Sequence, residues 1–157
     1  MSPQNDEPRK LYHGSSHLIK TLEPRPSKVI DNEEAVFATP SKLLAIVFAP
    51  KWSDADMSLG FYKDKMYISE QYPEAFDLLK AKNSHGIGAY LYHVDSDGFE
   101  SDHRLGMRKH EFINRNKVEI IKTEIIDDVY EYLKKSGEIA MITHEQAFEA
   151  YEKVGLI

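Results

Sequence analysis

Apolar residues in this chain come in short bursts, most of them closed within a few positions by Gly, Pro, Asn, Asp or Ser. Bursts of this length predict strands and short helices rather than long amphipathic helices. The first, KLYHG, is cut off by Gly14, Ser15 and Ser16 and reads as a strand. HLIKTLEPRPS places Leu18, Ile19 and Leu22 at helical spacing, which predicts a helix stopped by Pro24 and Pro26. EAVFATP is a short strand closed by Thr39 and Pro40. In SKLLAIVFA, Ser41 stands as an N-cap before an almost wholly apolar body, so a buried helix ending at Pro50 is expected.

Further on, FYKDKMYIS reads as one or two strands, and PEAFDLLKAK as a helix with Pro73 in its first turn. GIGAYLYHVD predicts a strand with Tyr90, Tyr92 and Val94 on one face and Leu91 and His93 on the other. A polar loop leads to the strand-like HEFIN and to KVEIIKTEII, where Val118, Ile120 and Lys122 alternate with Glu119, Ile121 and Thr123. Two helices, DDVYEYLKKSG and THEQAFEAYEKVG, close the chain. The second has Thr143 and Gln146 at capping-box spacing and Gly155 at its end. This pattern describes one α+β domain over residues 10–157, preceded by a flexible leader over 1–9.

Composition narrows the function. The 157 residues suit one domain with its own core, and 41% hydrophobic with 29% charged residues is a globular balance. A net charge of −6 provides no global basic field for phosphate backbones, so there is no strong nucleic-acid signature. The densest basic stretch, Arg104 to Lys117, mixes signs in the manner of a solvated loop. The lack of cysteine excludes disulfides, thiol nucleophiles and thiolate metal sites. No stretch approaches the roughly 20 apolar residues of a membrane span, and MSPQNDEPRK is no secretory signal. A soluble, cytoplasmic protein with no membrane partner is expected. The seven histidines show no ligand spacing, so no metal is expected. Neither GxGxxG nor GxxxxGK[ST] occurs, and Ser15 and Ser16 lack a GxSxG elbow.

Three short stretches carry candidate chemistry. In YHGSS, His13 is followed by Gly14, whose backbone a flat ligand can approach closely. VFATPSKLLAIVFA sets Phe37 on a strand and Phe48 late in the following helix, two rings able to stack on a planar heterocycle. HEFIN places Glu111 where a carboxylate can accept a hydrogen bond from a sugar hydroxyl and favour positive charge on an anomeric carbon. Taken singly, each has a bland reading: a strand-end histidine, core rings and a solvated charge.

In order and wording these stretches resemble the His-Tyr-Glu branch of the ADP-ribosyltransferases, the diphtheria-toxin and poly(ADP-ribose) polymerase group. YHGSS is similar to that group's first-strand YHG or HGS. VFATPSKLLAIVFA is similar to its YST or YFA segment and following helix, and HEFIN to the toxin-type VEYIN. The likeness spans about two-thirds of the chain as three islands. It implies an ADP-ribosyltransferase-like split β-sandwich with small flanking helices, two C-terminal helices and an NAD cleft between the sheets. By the same resemblance His13 would hold an NAD ribose hydroxyl, Gly14 the nicotinamide carboxamide, and Phe37 and Phe48 the nicotinamide ring. Glu111 would bind the 2′-hydroxyl of the nicotinamide ribose and stabilise the transition state as nicotinamide leaves. NAD is then the substrate. The acceptor is a protein, a nucleic acid, a small molecule or water, and with water the site is an NAD glycohydrolase.

The chain departs from the pattern twice. Phe37 stands where the group has tyrosine, which keeps stacking and loses the phenol. Lys109, two residues before Glu111, replaces the acidic or amide residue of arginine-specific transferases, which argues against an arginine acceptor. Two alternatives remain open: a nucleotide-binding module with altered catalysis, and a relative of RNA 2′-phosphotransferase gripping phosphates through Arg104, Arg108 and Arg115.

Overall fold

The computed structural model describes residues 10–106 and 110–153. Its centre is a strand, β7 (Ala89–Asp95), with β1 (Lys10–Ser15) and β10 (Lys122–Ile126) antiparallel on either side. Every residue from Ala89 to Val94 is buried. One face, Tyr90, Tyr92 and Val94, packs with Leu11, Leu22, Val36, Ala38 and Val118. The other presents Leu91 to α1 (Lys42–Val47) and α2 (Val129–Ser136), in a core shared with Leu44, Ile46 and Leu133. The faces alternate as the sequence predicts, and both are covered.

A second sheet sets β4 (Glu33–Ala38) between β3 (Arg25–Ser27) and β8 (Phe112–Asn114). A third has the hairpin β5 (Met57–Tyr62) and β6 (Lys65–Glu70), with β11 (Ile139–Ile142) parallel to β6. Lys63 and Asp64 both have positive φ (51° and 65°), the backbone a two-residue hairpin turn requires. A two-stranded ribbon joins β2 (Thr21–Leu22) to β9 (Val118–Glu119). The fold is therefore α+β, mostly strands in several small sheets with few helices.

Local signals hold where near neighbours supply the partners. The Ser41 hydroxyl accepts from the Leu44 amide at 3.1 Å and starts α1. Thr143 and Gln146 exchange both bonds of a capping box at the start of α3 (His144–Lys153), at 2.9 and 3.2 Å. Asp128 caps α2, and Gly137 ends it in the left-handed conformation.

Four expectations change. The predicted helix before Pro24 and Pro26 is instead the extended pair β2 and β3. In β3 the amides of Arg25 and Ser27 face β4, so Pro26, which has no amide hydrogen, sits where none is needed. PEAFDLLKAK forms a 3-10 helix, Ala75–Lys80, rather than an α-helix. KVEIIKTEII breaks into β9 and β10, because the first part pairs with β2 and the second with β7. Strand β11, between the last two helices, has no counterpart in the sequence reading. The leader and Gly155 lie outside the described residues. No helix among the described residues is long and apolar enough to cross a membrane.

Candidate functional site

Strands β1 and β4 touch and then part. Tyr12 and Thr39 exchange both backbone hydrogen bonds, at 2.8 and 2.9 Å. In an antiparallel ladder the next such pair would be Gly14 with Phe37, but the only bridge between the two strands is Tyr12–Thr39. The His13 side chain takes that place: its Nδ1 donates to the Phe37 carbonyl at 2.6 Å. Beyond it, the same edge of β4 is taken up by β3, with Arg25 opposite Ala35. The result is a fork, with β1 and β3 as its arms, β4 as its stem, and Phe37 at the branch. The peptide edge of Gly14 points into the gap, because strand residues two apart share a direction and Tyr12 faces β4.

The fork opens into a cleft of about 860 Å³. His13, Gly14, Phe37, Phe48 and Glu111, distant in sequence, all line it. A carbonyl only accepts, so the proton of neutral His13 sits on Nδ1 and Nε2 is left as an acceptor. Burial lowers the pKa of His13, opposed by the Phe37 carbonyl and assisted by the charge of Arg25. Tyr92 stacks on His13 at 6.3 Å between ring centres. The Tyr92 hydroxyl also donates to the His17 carbonyl and accepts from the Ile19 amide, which ties down the start of the cleft wall.

The Gly14 reading changes in one respect. A Cβ on Gly14 would meet the Ala45 carbonyl oxygen at 2.0 Å, so what approaches closely on that side is α1. Phe37 is half-buried against Ile30, Ala35, Leu105 and Ile113. Phe48 forms the C-cap of α1, is 42% exposed, and stacks on Trp52 at 6.1 Å with 17° between planes. The Trp52 indole donates to the Val47 carbonyl at 2.7 Å, which braces the pair.

Glu111 immediately precedes β8 and is half-buried. Its carboxylate has no hydrogen bond or ion pair with another described side chain, and burial raises its pKa. Behind it, the backbones of Ile113 and Glu100 exchange hydrogen bonds at 2.8 and 2.9 Å. His110 lies flat on Phe61 of β5, 4.1 Å between ring centres. Lys109 and Arg108 fall outside the described residues.

The cleft also holds residues the sequence reading passed over. The segment from Ile19 to Ser27 makes one wall and carries Lys20, Glu23 and Arg25. The proline-flanked arginine in EPRPS is a signal for an extended segment presenting a cation, and the helix reading obscured it. Conversely, Arg104 and Arg115 are committed to carboxylates. Arg104 binds Asp31, Glu33 and Asp102 at 2.8 to 3.0 Å, and Arg115 pairs with Glu33. These hydrogen bonds hold the Glu33 carboxyl down at about 2 and Asp102 well below the usual range. No group of His, Asp and Glu among the described residues is arranged to hold a metal ion. No protein-family model matches this chain, and no curated protein or solved structure matches it either.

Proposed function

We propose that this protein transfers ADP-ribose from NAD, releasing nicotinamide, on an ADP-ribosyltransferase-like split β-sandwich whose sheets part at the β1–β4 fork. The observation that carries the reading is the convergence of all three sequence islands on one cleft: His13 and Gly14 on one arm, Phe37 and Phe48 beside the branch, and Glu111 on the same lining. A dinucleotide needs a hydroxyl acceptor, an exposed peptide edge, aromatic surface and a lone carboxylate, and the cleft has each.

In this reading His13 Nε2 accepts from a ribose hydroxyl. The Gly14 peptide edge meets the nicotinamide carboxamide, a planar amide with one donor and one acceptor side. Phe37 and Phe48 hold the nicotinamide ring. The bond between nicotinamide and C1′ of the ribose breaks, its electron pair leaves with nicotinamide, and positive charge grows on C1′ and the ring oxygen. The Glu111 carboxylate, hydrogen-bonded to the 2′-hydroxyl, stabilises that charge where little water competes. A lone pair of the acceptor closes on C1′ and its proton passes to solvent. With water as acceptor the product is free ADP-ribose. Two of the three arginines on which the RNA 2′-phosphotransferase alternative rests, Arg104 and Arg115, are paired with acidic side chains, which favours ADP-ribosyl transfer over it.

The test is incubation with NAD labelled on the nicotinamide and on the adenylate, followed for free nicotinamide and for label on macromolecules. Glu111→Gln should retain NAD binding while lowering nicotinamide release by about 10²- to 10³-fold. His13→Ala should weaken NAD binding itself. An NAD-binding protein with no turnover would be the altered-catalysis module. Absence of NAD binding, or undiminished turnover in Glu111→Gln, would refute the reading.

A further inference from the structure

We propose that strand β10 is a self-complementary edge through which two copies of this chain pair about a two-fold axis at Thr123. In the sheet order β1-β7-β10, β1 continues toward β4 through the Tyr12–Thr39 bridge, while β10 has β7 on one side only. No backbone hydrogen bond among the described residues reaches the other side of β10. The ladders fix which peptide groups lie there. Tyr12 turns to β4, so His13 turns to Tyr92, and Leu91 and His93 turn the opposite way, to Glu124 and Lys122. The amides and carbonyls of Thr123 and Ile125 are left on the open side. Such an edge is a template for another strand.

The side chains identify the occupant. Ile121 to Ile125 reads IKTEI, and the two isoleucines are each 62% exposed. Antiparallel pairing about Thr123 sets Lys122 opposite Glu124 of the second copy twice, and Ile121 opposite Ile125 twice. Thr123 then meets its own copy as a hydrogen-bonded pair. Lys122 and Glu124 meet as a non-hydrogen-bonded pair, in which side chains approach most closely. The two neighbouring registers that keep the ladder set Lys122 against Lys122 or Glu124 against Glu124, so charge selects this one. Glu124 has room for the new cation: Lys42 at 3.0 Å and His93 at 2.5 Å both hold its Oε1, and Oε2 has no partner among the described residues. Lys122 is exposed and pairs with no described carboxylate. A lysine on an edge strand ordinarily guards against pairing, and here Glu124 makes a second copy the strand that satisfies it. The product is one six-stranded sheet. His13 and Gly14 lie on β1, at the far edge, so the cleft stays open. A two-fold axis closes the contact, and assembly stops at two chains.

The experiment is sedimentation of the full chain between about 10 and 500 μM, because one strand from each copy makes a small interface and a weak dimer. Hydrogen exchange is measured at both ends of that range. A monomer–dimer equilibrium is expected, and the Thr123 and Ile125 amides should exchange about tenfold or more slowly at the higher concentration. Lys122→Glu turns two attractive pairs into two repulsive ones and should weaken the dimer about tenfold or more, while Lys122→Arg keeps it. Thr123→Pro removes an outward amide, leaves the ladder to β7 intact and should give a monomer. Lys122 is exposed, so its variants decide the matter even where Thr123→Pro does not fold. A chain that stays monomeric throughout overturns the proposal, as does a dimer indifferent to Lys122→Glu. Protection that falls outside residues 122–125, or association that continues past two chains, also overturns it.

Discussion

A Cβ built on Gly14 would stand 2.0 Å from the Ala45 carbonyl oxygen and 3.2 Å from the Ala45 neighbourhood's next apolar carbon, the Ala49 Cβ. Helix α1 therefore seats on β1 only because position 14 has no side chain. Gly14→Ala should cost about 1–3 kcal/mol through overpacking, read as a lower urea midpoint. Glu111 shows the opposite balance between stability and chemistry. Burial raises its pKa, so folding favours the neutral acid. A raised pKa contributes stability that is complete below the unfolded value and lost as pH rises through the folded one. Ionised Glu111 is thus a cost at pH 7, and Glu111→Gln should melt higher than the wild type there, with the gap closing toward pH 4. Calorimetry at the two pH values checks this, and a lower melting temperature for the variant contradicts it. Because the proposed transfer needs the carboxylate, turnover should fall with acidification at a pH above the ordinary glutamate value of about 4.3.

At the scale of elements, the segment carrying Glu111 is held from two sides. The Glu100–Ile113 bridge supports it along β8, and the His110–Phe61 stack joins it to the β5–β6 hairpin. His110 packs on Phe61 while the next residue, Glu111, lines the cleft. If the proposed reaction holds, His110→Ala should lower nicotinamide release by up to about a hundredfold through misplacement of the carboxylate, with NAD affinity little changed. His110→Phe, which keeps a flat ring on Phe61, should restore most of the rate. Comparing kcat with the NAD dissociation constant in both variants separates stacking from imidazole chemistry. Elements set by near neighbours were legible in the sequence: the α1 cap at Ser41, the capping box at Thr143 and the alternation along β7. Elements that need a distant partner were not. Leu18, Ile19 and Leu22 have helical spacing, yet Thr21 and Leu22 pair with β9 nearly a hundred residues away, and β11 exists because β6 offers it a parallel edge.

For the whole molecule, an ion-pair cluster ties the loop before Glu111 to the start of β4. Arg104 bridges Asp31, Glu33 and Asp102, and donates to the Ile30 carbonyl at 3.3 Å. Leu105, next to it, is buried with Ile113 and Ile30. Removing the cation leaves Asp102, whose side chain is only 11% exposed, without its main partner. Arg104→Gln should lower the urea midpoint of unfolding at pH 7. A carboxyl held low adds stability that is present above its unfolded pKa and lost as pH falls through its folded one. The gap between the wild type and Arg104→Gln should therefore shrink as pH falls from 4.5 toward the value of about 2 at which Glu33 titrates. Denaturation curves across that range read the effect, and a pH-independent gap contradicts it.

The sequence by itself determined the class of fold, the helix caps, the strand faces and the residues worth watching, because each depends on neighbours within one turn or one pleat. It could not tell Arg25 from Arg104. Both are arginines in polar surroundings, and only the folded chain brings three carboxylates to one and sets the other on a cleft wall with no partner among the described carboxylates. Nor could it show that His13 would take the carbonyl a ladder would have given to Gly14. Hydrogen bonds and ion pairs act over a few ångströms of space regardless of separation along the chain. The fork, the cleft and its charge were therefore decided by tertiary structure alone.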